Sequence, residues 1–239
     1  MKKTSIIKQF LEGLSSLKGI IYPNICIACQ DTLGTGETFI CFKCHMTLPK
    51  TNFHLYRNNP LEIQFRGRIN YEAVTAYYKF SKKSKVQRLV HQLKYKNQRD
   101  AGIELGKYFG QDLLESPIFA SADIITSVPL HPKKLRLRGY NQCDALGIGM
   151  SQSLHIPYRN DIIQRVKYTE TQTRKNRIGR IQNVKQIFTV NNYDIIENKH
   201  IILIDDVITT GSTLESCASE LQKHHNVKVS LAGLSTAKK

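Results

Sequence analysis

The stretch Ile201-Ile-Leu-Ile-Asp-Asp-Val-Ile-Thr-Thr-Gly-Ser-Thr213 decides the fold of this chain. Its first four residues are branched and apolar, a pattern typical of a parallel strand that is buried on both faces. Asp205 and Asp206 follow at the predicted C-terminal end of the strand. A loop of small hydroxylated residues around Gly211 then leads into a predicted helix over 214–224. Open α/β sheets bind ligands at such strand ends, so the sequence predicts a site here.

This segment has the chemical groups that hold a phosphorylated sugar. A Thr/Gly/Ser loop that opens a helix presents backbone N–H groups, hydroxyls and a positive dipole end to a phosphate. Adjacent carboxylates can bind ribose hydroxyls and help to hold a divalent cation. An ordinary α/β protein with a capped helix explains the strand and the cap, but it does not require two acids, two threonines and a glycine in this order. The segment resembles the phosphoribosyl-pyrophosphate (PRPP) signature of type I phosphoribosyltransferases.

The size of the chain allows one α/β domain with a small appendage. It has 239 residues, of which 41% are hydrophobic, and a domain of this class takes about 150–200 residues. The longest apolar runs are too short and interrupted to span a bilayer, and the first residues lack the pattern of a secretory signal. Apolar residues at helical spacing predict an amphipathic helix over residues 1–18. We therefore expect a cytoplasmic protein with no transmembrane segment.

The chain carries a large excess of positive charge. Lysine and arginine total 35 against 19 acidic residues, a formal net charge of +16. The excess is concentrated in residues 82–99, with seven basic residues and no acidic one, and in residues 131–180, with eleven basic and three acidic residues. Such an excess indicates polyanionic partners, either nucleic acid or phosphate-rich substrates, and charge alone does not choose between them.

Four of the six cysteines form two C-x2-C pairs, Cys26 with Cys29 and Cys41 with Cys44. Two such pairs can complete a tetrahedral Zn²⁺ site, which is structural when all four ligands are thiolates. Disulfides are the alternative, but they need an oxidising compartment, and a redox C-x-x-C normally stands alone. We expect a structural zinc site in an N-terminal module over residues 1–50, followed by a second domain over residues 51–239.

The rest of the chain alternates strands and helices, which predicts an α/β fold with a parallel sheet flanked by helices. We expect the strands over 123–128 and 201–204 to be neighbours whose C-terminal loops face one crevice. Residues 51–70 are predicted to be mostly loop. The remaining predicted elements are strands over 71–80, 157–165 and 227–234 and helices over 83–93, 100–114 and 141–154.

The segment after strand 123–128 is a second candidate anion site. Asn141 can cap the helix that follows it. Backbone N–H groups at a strand–helix turn, surrounded by cations, can receive a pyrophosphate. A solvated basic loop is the alternative, and the nearby aspartate motif favours the pyrophosphate. Four cations stand here between proline and glycine turns: Lys133, Lys134, Arg136 and Arg138.

Several motifs follow one another along the chain, and their succession is more persuasive than any single motif. They are the two C-x2-C pairs, Leu93-Lys94-Tyr95 with Arg99-Asp100, Val128 to Gln142, Thr171-Gln172-Thr173 with Arg174 and Arg177, and Ile204 to Thr213. The succession resembles the ComF family of bacterial competence proteins, which joins an N-terminal zinc finger to a type I phosphoribosyltransferase domain. The resemblance implies PRPP binding and the handling of imported single-stranded DNA at the inner face of the cytoplasmic membrane. A competence helicase or another DNA-processing protein is a candidate partner.

The resemblance also implies roles for individual residues. Asp205 and Asp206 would be catalytic and contact the ribose hydroxyls, with Mg²⁺ bridging ribose and pyrophosphate. The 5′-phosphate would bind Thr209, Thr210, Gly211, Ser212 and Thr213. The pyrophosphate would lie at Pro129, Leu130 and the basic segment from Lys133 to Arg138. Candidates for nucleic acid or substrate are Lys94, Arg136, Arg174 and Arg177.

Three functions remain open at this point. The chain can be a DNA-handling protein with a PRPP site, an active phosphoribosyltransferase, or a regulatory module that senses PRPP and docks a partner through its zinc finger. The sequence offers no evident general base for a nucleobase acceptor. Four tyrosines can stack on bases or pack within the protein: Tyr77, Tyr78, Tyr95 and Tyr140.

Overall fold

The computed structural model describes residues 24–166 and 187–237, in two units that comprise Met1–Leu48 and Pro49–Lys239. In the smaller unit, Ile25 and Thr32 form an antiparallel bridge, and helix α1 spans Phe42–Thr47. The Cys41 thiol caps α1 by accepting a hydrogen bond from the backbone N–H of Cys44. The predicted helix over residues 1–18 lies outside the described residues.

A four-stranded parallel sheet forms the centre of the larger unit. In their order across the sheet, its strands are β1 Val74–Lys79, β6 Lys228–Thr236, β5 His200–Ile208 and β2 Ile124–Ser127. The α/β fold with a parallel sheet is confirmed. The predicted neighbours are also confirmed, because β2 pairs with β5 from Ile124 opposite Ile201 to Ser127 opposite Ile204. Within the described residues, two further strands form a separate antiparallel pair, β3 Ile163–Arg165 and β4 Phe188–Val190.

Strand β5 is longer than its apolar run predicts. We expected Asp205 and Asp206 to follow the strand, and this was wrong, because both lie within it. Its pairing with β6 continues to Ile208 opposite Thr236, and the Thr236 hydroxyl donates to the Ile208 carbonyl at 3.1 Å. A backbone that stays in the ladder holds both aspartates more rigidly than a loop would.

Helices cover both faces of the sheet. Within the described residues, no helix is long and apolar enough to cross a membrane. The expectation of loop over 51–70 was wrong in part, because Asn59 caps a helix there with Pro60 in its first turn. Pro and Asn are favoured at these two positions. In the part of the larger unit that the structure describes, the helices are α2 Pro60–Phe65, α3 Lys85–Tyr95, α4 Arg99–Leu113, α5 Pro117–Ala120, α6 Pro132–Arg138, α7 Gln142–Leu154 and α8 Ser212–Leu221, with 3-10 turns at Phe53–Leu55 and Tyr193–Ile195.

Helices α4 and α7 approach each other unusually closely. A Cβ atom on Gly106 would lie 2.2 Å from the Leu146 carbonyl oxygen, and one on Gly149 would lie 2.0 Å from the Ile103 carbonyl oxygen. Because backbone atoms cannot move aside as side chains do, only glycine fits at these crossing points. This packing fixes α7, whose first residues lie at the edge of the sheet where β2 and β5 end.

Candidate functional site

The four cysteines of the C-x2-C pairs lie together in the smaller unit, with their sulfur atoms within 4.8 Å of one another. The Cys29 and Cys41 sulfurs are 3.7 Å apart. A tetrahedral site with metal–sulfur bonds of about 2.3 Å requires sulfur–sulfur distances of about 3.8 Å. The cluster therefore has the geometry to hold a metal ion with four sulfur ligands.

The backbone of this unit favours thiolate at one of the four cysteines. Burial opposes ionisation of Cys26, but hydrogen bonds from the backbone of Cys29, Cys41 and Ala28 outweigh it and lower its pKa to about 7. Burial raises the pKa of Cys29 to about 11 and also raises that of Cys44. A divalent cation would displace the remaining protons, because thiolates are the form that binds metal.

In the larger unit, Asp206 is the polar centre of the sheet edge where β2 and β5 end. The Lys94 ammonium lies 2.8 Å from Asp206 Oδ2, and the Asp206 side chain is only 15% exposed. The Gln142 amide donates to the same carboxylate oxygen, and Arg138 Nη1 donates to Gln142 Oε1 at 3.1 Å. Side chains from α3 and α7 thus contact the Asp206 carboxylate of β5 directly, and Arg138 of α6 is linked to it through Gln142.

Asp205 has a different electrostatic environment. Its burial and the charge of Asp206 raise the pKa of Asp205 to about 7, while the backbone N–H of Asp206 and the charges of Lys94 and Arg165 act in the opposite direction. The buried Cys143 thiol lies within 4.8 Å of both carboxylates, and its pKa is raised by burial and by their charges. The pair therefore presents one ion-paired carboxylate beside one that protonates readily.

Side chains from helix α2 and from the turn after α2 bind the backbone carbonyls of the loop that follows β5. Gln64 Nε2 donates to the Thr209 carbonyl at 3.0 Å, and Arg68 Nη1 donates to the Thr210 carbonyl at 2.9 Å. Arg68 also pairs with Glu215 in the first turn of α8. Because two loop carbonyls are bound on this side, the opposite side of the loop can present N–H groups and hydroxyls to an anion.

Gly211 is the tightest point of that loop. Its φ of 74° lies in the left-handed region, and a Cβ atom there would lie 2.3 Å from Cζ of Phe65. Thr209, Thr210 and Ser212 are exposed around it. The loop therefore combines a buried glycine pivot with exposed hydroxyls at the N-terminus of α8, which is the arrangement that suits a phosphate.

The segment after β2 enters the same sheet edge. The Val128 N–H donates to the Ile204 carbonyl at 2.9 Å, and Asn141 caps α7 as predicted, with Oδ1 accepting from the Cys143 N–H at 3.1 Å. The four cations of the sequence motif lie on the short helix α6, which is capped at its C-terminus by Gly139. Pro129 and Leu130 form the connection between β2 and α6.

The structure brings together Asp205, Asp206, Lys94 and Arg138, while Arg174 and Arg177 lie outside the described residues. Sequence reasoning missed Gln142 and Cys143 as neighbours of the aspartates, and it missed Gln64 and Arg68 altogether. Gln142 carried one usable signal, since it is the first residue of a helix that starts at the C-terminal edge of the sheet. The contacts of residues 64–68 carried none, because they span more than 140 positions of sequence.

Parts of this chain are similar in sequence to known proteins. Residues 146–237 match the phosphoribosyl transferase domain family. Competence protein F of Haemophilus influenzae is 38% identical over 116 residues, which are 48% of this chain and 51% of that protein, so the match spans about half of its length. The DNA utilization protein YhgH of Escherichia coli K12 is 25% identical over 217 residues, 84% of this chain and 92% of that protein.

Among solved structures, glutamine PRPP amidotransferase from B. subtilis, complexed with ADP and GMP, matches with 20% identity and a TM-score of 0.42, over 61% of this chain and 30% of that one. In sequence, the chain is similar to competence protein F over about half of its length and to the DNA utilization protein YhgH over most of it, and its residues 146–237 match the phosphoribosyl transferase domain family.

Proposed function

We propose that this chain is a PRPP-binding, phosphoribosyltransferase-like protein of natural competence that handles imported single-stranded DNA. The observation that carries the proposal is the meeting of Asp205 and Asp206 with the hydroxyl-rich loop at one end of β5, in a domain of the phosphoribosyl transferase family. The relatives named for competence and DNA utilization support the cellular role. We place the protein in the cytoplasm, at the inner face of the membrane.

In this proposal each part of the sheet edge binds one part of PRPP. Asp205 and Asp206 hold the ribose hydroxyls, and the five residues from Thr209 to Thr213 hold the 5′-phosphate. The segment from Pro129 and Leu130 to Lys133 and Arg138 lies at the pyrophosphate. Mg²⁺ fits the carboxylate oxygens of the two aspartates and would neutralise the charge of the pyrophosphate. Zn²⁺ would hold the N-terminal module together through Cys26, Cys29, Cys41 and Cys44.

Thermal unfolding with and without PRPP and Mg²⁺ tests the ligand. A saturating ligand at 100 times its Kd adds about 2.7 kcal/mol to the free energy of unfolding, which for a chain of this size raises Tm by about 5–10 °C. The shift should be lost in Asp206→Asn. Asp123→Asn is the matched control, because Asp123 lies at the opposite edge of the sheet, where its carboxylate accepts from the His200 N–H at 2.8 Å. A shift that survives in Asp206→Asn would refute the assigned site.

Binding of labelled oligo-dT at increasing salt tests the DNA-handling role. Each phosphate neutralised by the protein contributes a log–log salt slope of about −0.7 for single strands. Candidate contacts are Lys94 and Arg136, together with Arg174 and Arg177. Negligible affinity at low salt would exclude this role and leave PRPP binding as a separate result.

A second candidate is transfer of phosphoribose to a nucleobase-like acceptor, favoured by the complete set of two aspartates and five loop residues. The chain would stabilise the departing pyrophosphate electrostatically. Pyrophosphate release that persists in an Asp205→Ala, Asp206→Ala double variant would contradict it.

A third candidate is a PRPP-sensing module that docks a competence helicase through residues 1–50. It predicts that the helicase no longer co-purifies with the protein when those residues are removed.

A further inference from the structure

The C-terminal end of α3 carries an exposed aromatic ring with cationic neighbours. Tyr95 is 59% exposed, and the guanidinium carbon of Arg138 lies 5.4 Å from its ring centroid. The His91 ring, one turn earlier on α3, is 4.8 Å away and tilted by 45°. An exposed tyrosine that is oriented by its neighbours loses little conformational freedom when a flat ligand stacks on it.

Two contacts tie the C-terminal end of α3 to the segment between β2 and α7. One is the Arg138–Tyr95 contact, and the other is a hydrogen bond from the Tyr140 hydroxyl to the Leu93 carbonyl. Leu137, next to Arg138, is 84% exposed. We name the surface formed by His91, Tyr95, Leu137 and Arg138 the Tyr95 shelf. It adjoins the candidate site directly, because Lys94 reaches Asp206 and Arg138 reaches Gln142.

The two sequence segments that form the Tyr95 shelf carry positively charged side chains and no carboxylates. Residues 82–99 and 131–143 contain eleven lysines and arginines and no aspartate or glutamate. Cations that follow a backbone of phosphates, combined with an exposed aromatic ring, are the features that single-stranded nucleic acid requires. A free phosphate or pyrophosphate would use the cations but has no base to place on Tyr95 or against Leu137.

We propose that the Tyr95 shelf is a binding surface for single-stranded nucleic acid, on which one base stacks on Tyr95 while α3 and α6 contact the flanking phosphates. The inference rests on the proposed DNA-handling function and gives it a location. Two other tyrosines that the sequence offered for stacking do not qualify, because Tyr77 and Tyr78 are 2% and 0% exposed.

The test is fluorescence anisotropy of a labelled oligo-dT with the full-length protein and the variants Tyr95→Ala, Tyr95→Phe and Tyr193→Ala. Loss of one stacked base should weaken binding about 5- to 100-fold in Tyr95→Ala, whereas Tyr95→Phe keeps the ring and should bind within twofold of the wild type. Tyr193 is the matched control, since it is also exposed (53%) and stacked on a histidine, His224 at 5.7 Å. Tyr193→Ala should leave the affinity unchanged.

The salt dependence separates stacking from a general electrostatic effect. The log–log salt slope of Tyr95→Ala should equal that of the wild type, because the variant loses no phosphate contact. Equal affinity of Tyr95→Ala and the wild type would overturn the shelf while leaving DNA handling intact. No binding by the wild type at low salt would overturn the DNA-handling function itself. Loss of binding to anionic vesicles in Tyr95→Ala, with oligo-dT binding unchanged, would reassign the surface to membranes.

Discussion

Replacement of Gly211 by alanine should destabilise the fold through backbone strain and through a clash with the Phe65 ring. The residue has a φ of 74°, and its added Cβ would lie 2.3, 2.7 and 3.1 Å from three atoms of the Phe65 ring. A left-handed conformation costs a non-glycine residue about 1–2 kcal/mol, and forcing a methyl group into a packed core costs about 1–3 kcal/mol more. We therefore expect Gly211→Ala to lower the free energy of unfolding by about 2–5 kcal/mol.

A double-variant cycle with Phe65→Leu separates the two contributions, measured by urea unfolding of all four proteins. Leucine removes the ring atoms that Cβ would meet but leaves the backbone strain in place. Gly211→Ala should therefore cost about 1–3 kcal/mol less in the Phe65→Leu background than in the wild type. An equal cost in both backgrounds would show that Phe65 does not set the position of this loop, and a total cost below about 1 kcal/mol would refute the reasoning.

Three further predictions concern charge, packing and metal. Because the pKa of Asp205 is raised to about 7 in the folded protein, the fold retains a proton that the unfolded chain loses, and stability falls as pH rises from about 4 to 7. Asp205→Asn should therefore gain on the order of 1–3 kcal/mol over the wild type between pH 5 and pH 8 in the absence of ligand, and a constant difference would contradict this. Gly106→Ala should cost about 1–3 kcal/mol in urea unfolding, because the new methyl group meets the Leu146 carbonyl of α7. The purified chain should contain one equivalent of zinc, which Cys44→Ser should release, and metal analysis that finds equal zinc in both proteins would exclude the four-sulfur site.

Sequence patterns predicted the structural elements that are determined by residues close together in the sequence. The run Ile201–Ile204 predicted a buried strand, and the structure buries these four side chains completely. Asn141 was predicted to cap α7 and does so, because capping depends on residues within one turn. The end of β5 was not predictable in this way. It is set by pairing with β6, whose Thr236 lies 28 residues away from Ile208 in the sequence.

In the candidate site, too, the residues that were predicted from their pattern are neighbours in the sequence. Asp205, Asp206 and the hydroxyl loop were identified from sequence because the ligand chemistry acts on neighbouring residues. Gln64, Phe65 and Arg68 support that loop from a segment that sequence reasoning assigned to loop. Their contacts with Thr209, Thr210 and Gly211 join segments that lie more than 140 residues apart in the sequence. Such support depends on topology, and periodicity within one segment contains no information about it.

Asp205 and Asp206 are neighbours in the sequence, but their side chains have different electrostatic environments. Asp206 already has a cationic partner in Lys94 and a donor in Gln142, so its charge is stabilised in the free protein. Asp205 has the Asp206 N–H as its hydrogen-bond donor, and its burial favours the neutral form. A divalent cation that binds both carboxylates must therefore compete with the Lys94 ammonium for Asp206 and, below about pH 7, with a proton for Asp205. Cation binding at this edge of the sheet is consequently coupled both to pH and to the position of α3, the helix that also carries Tyr95.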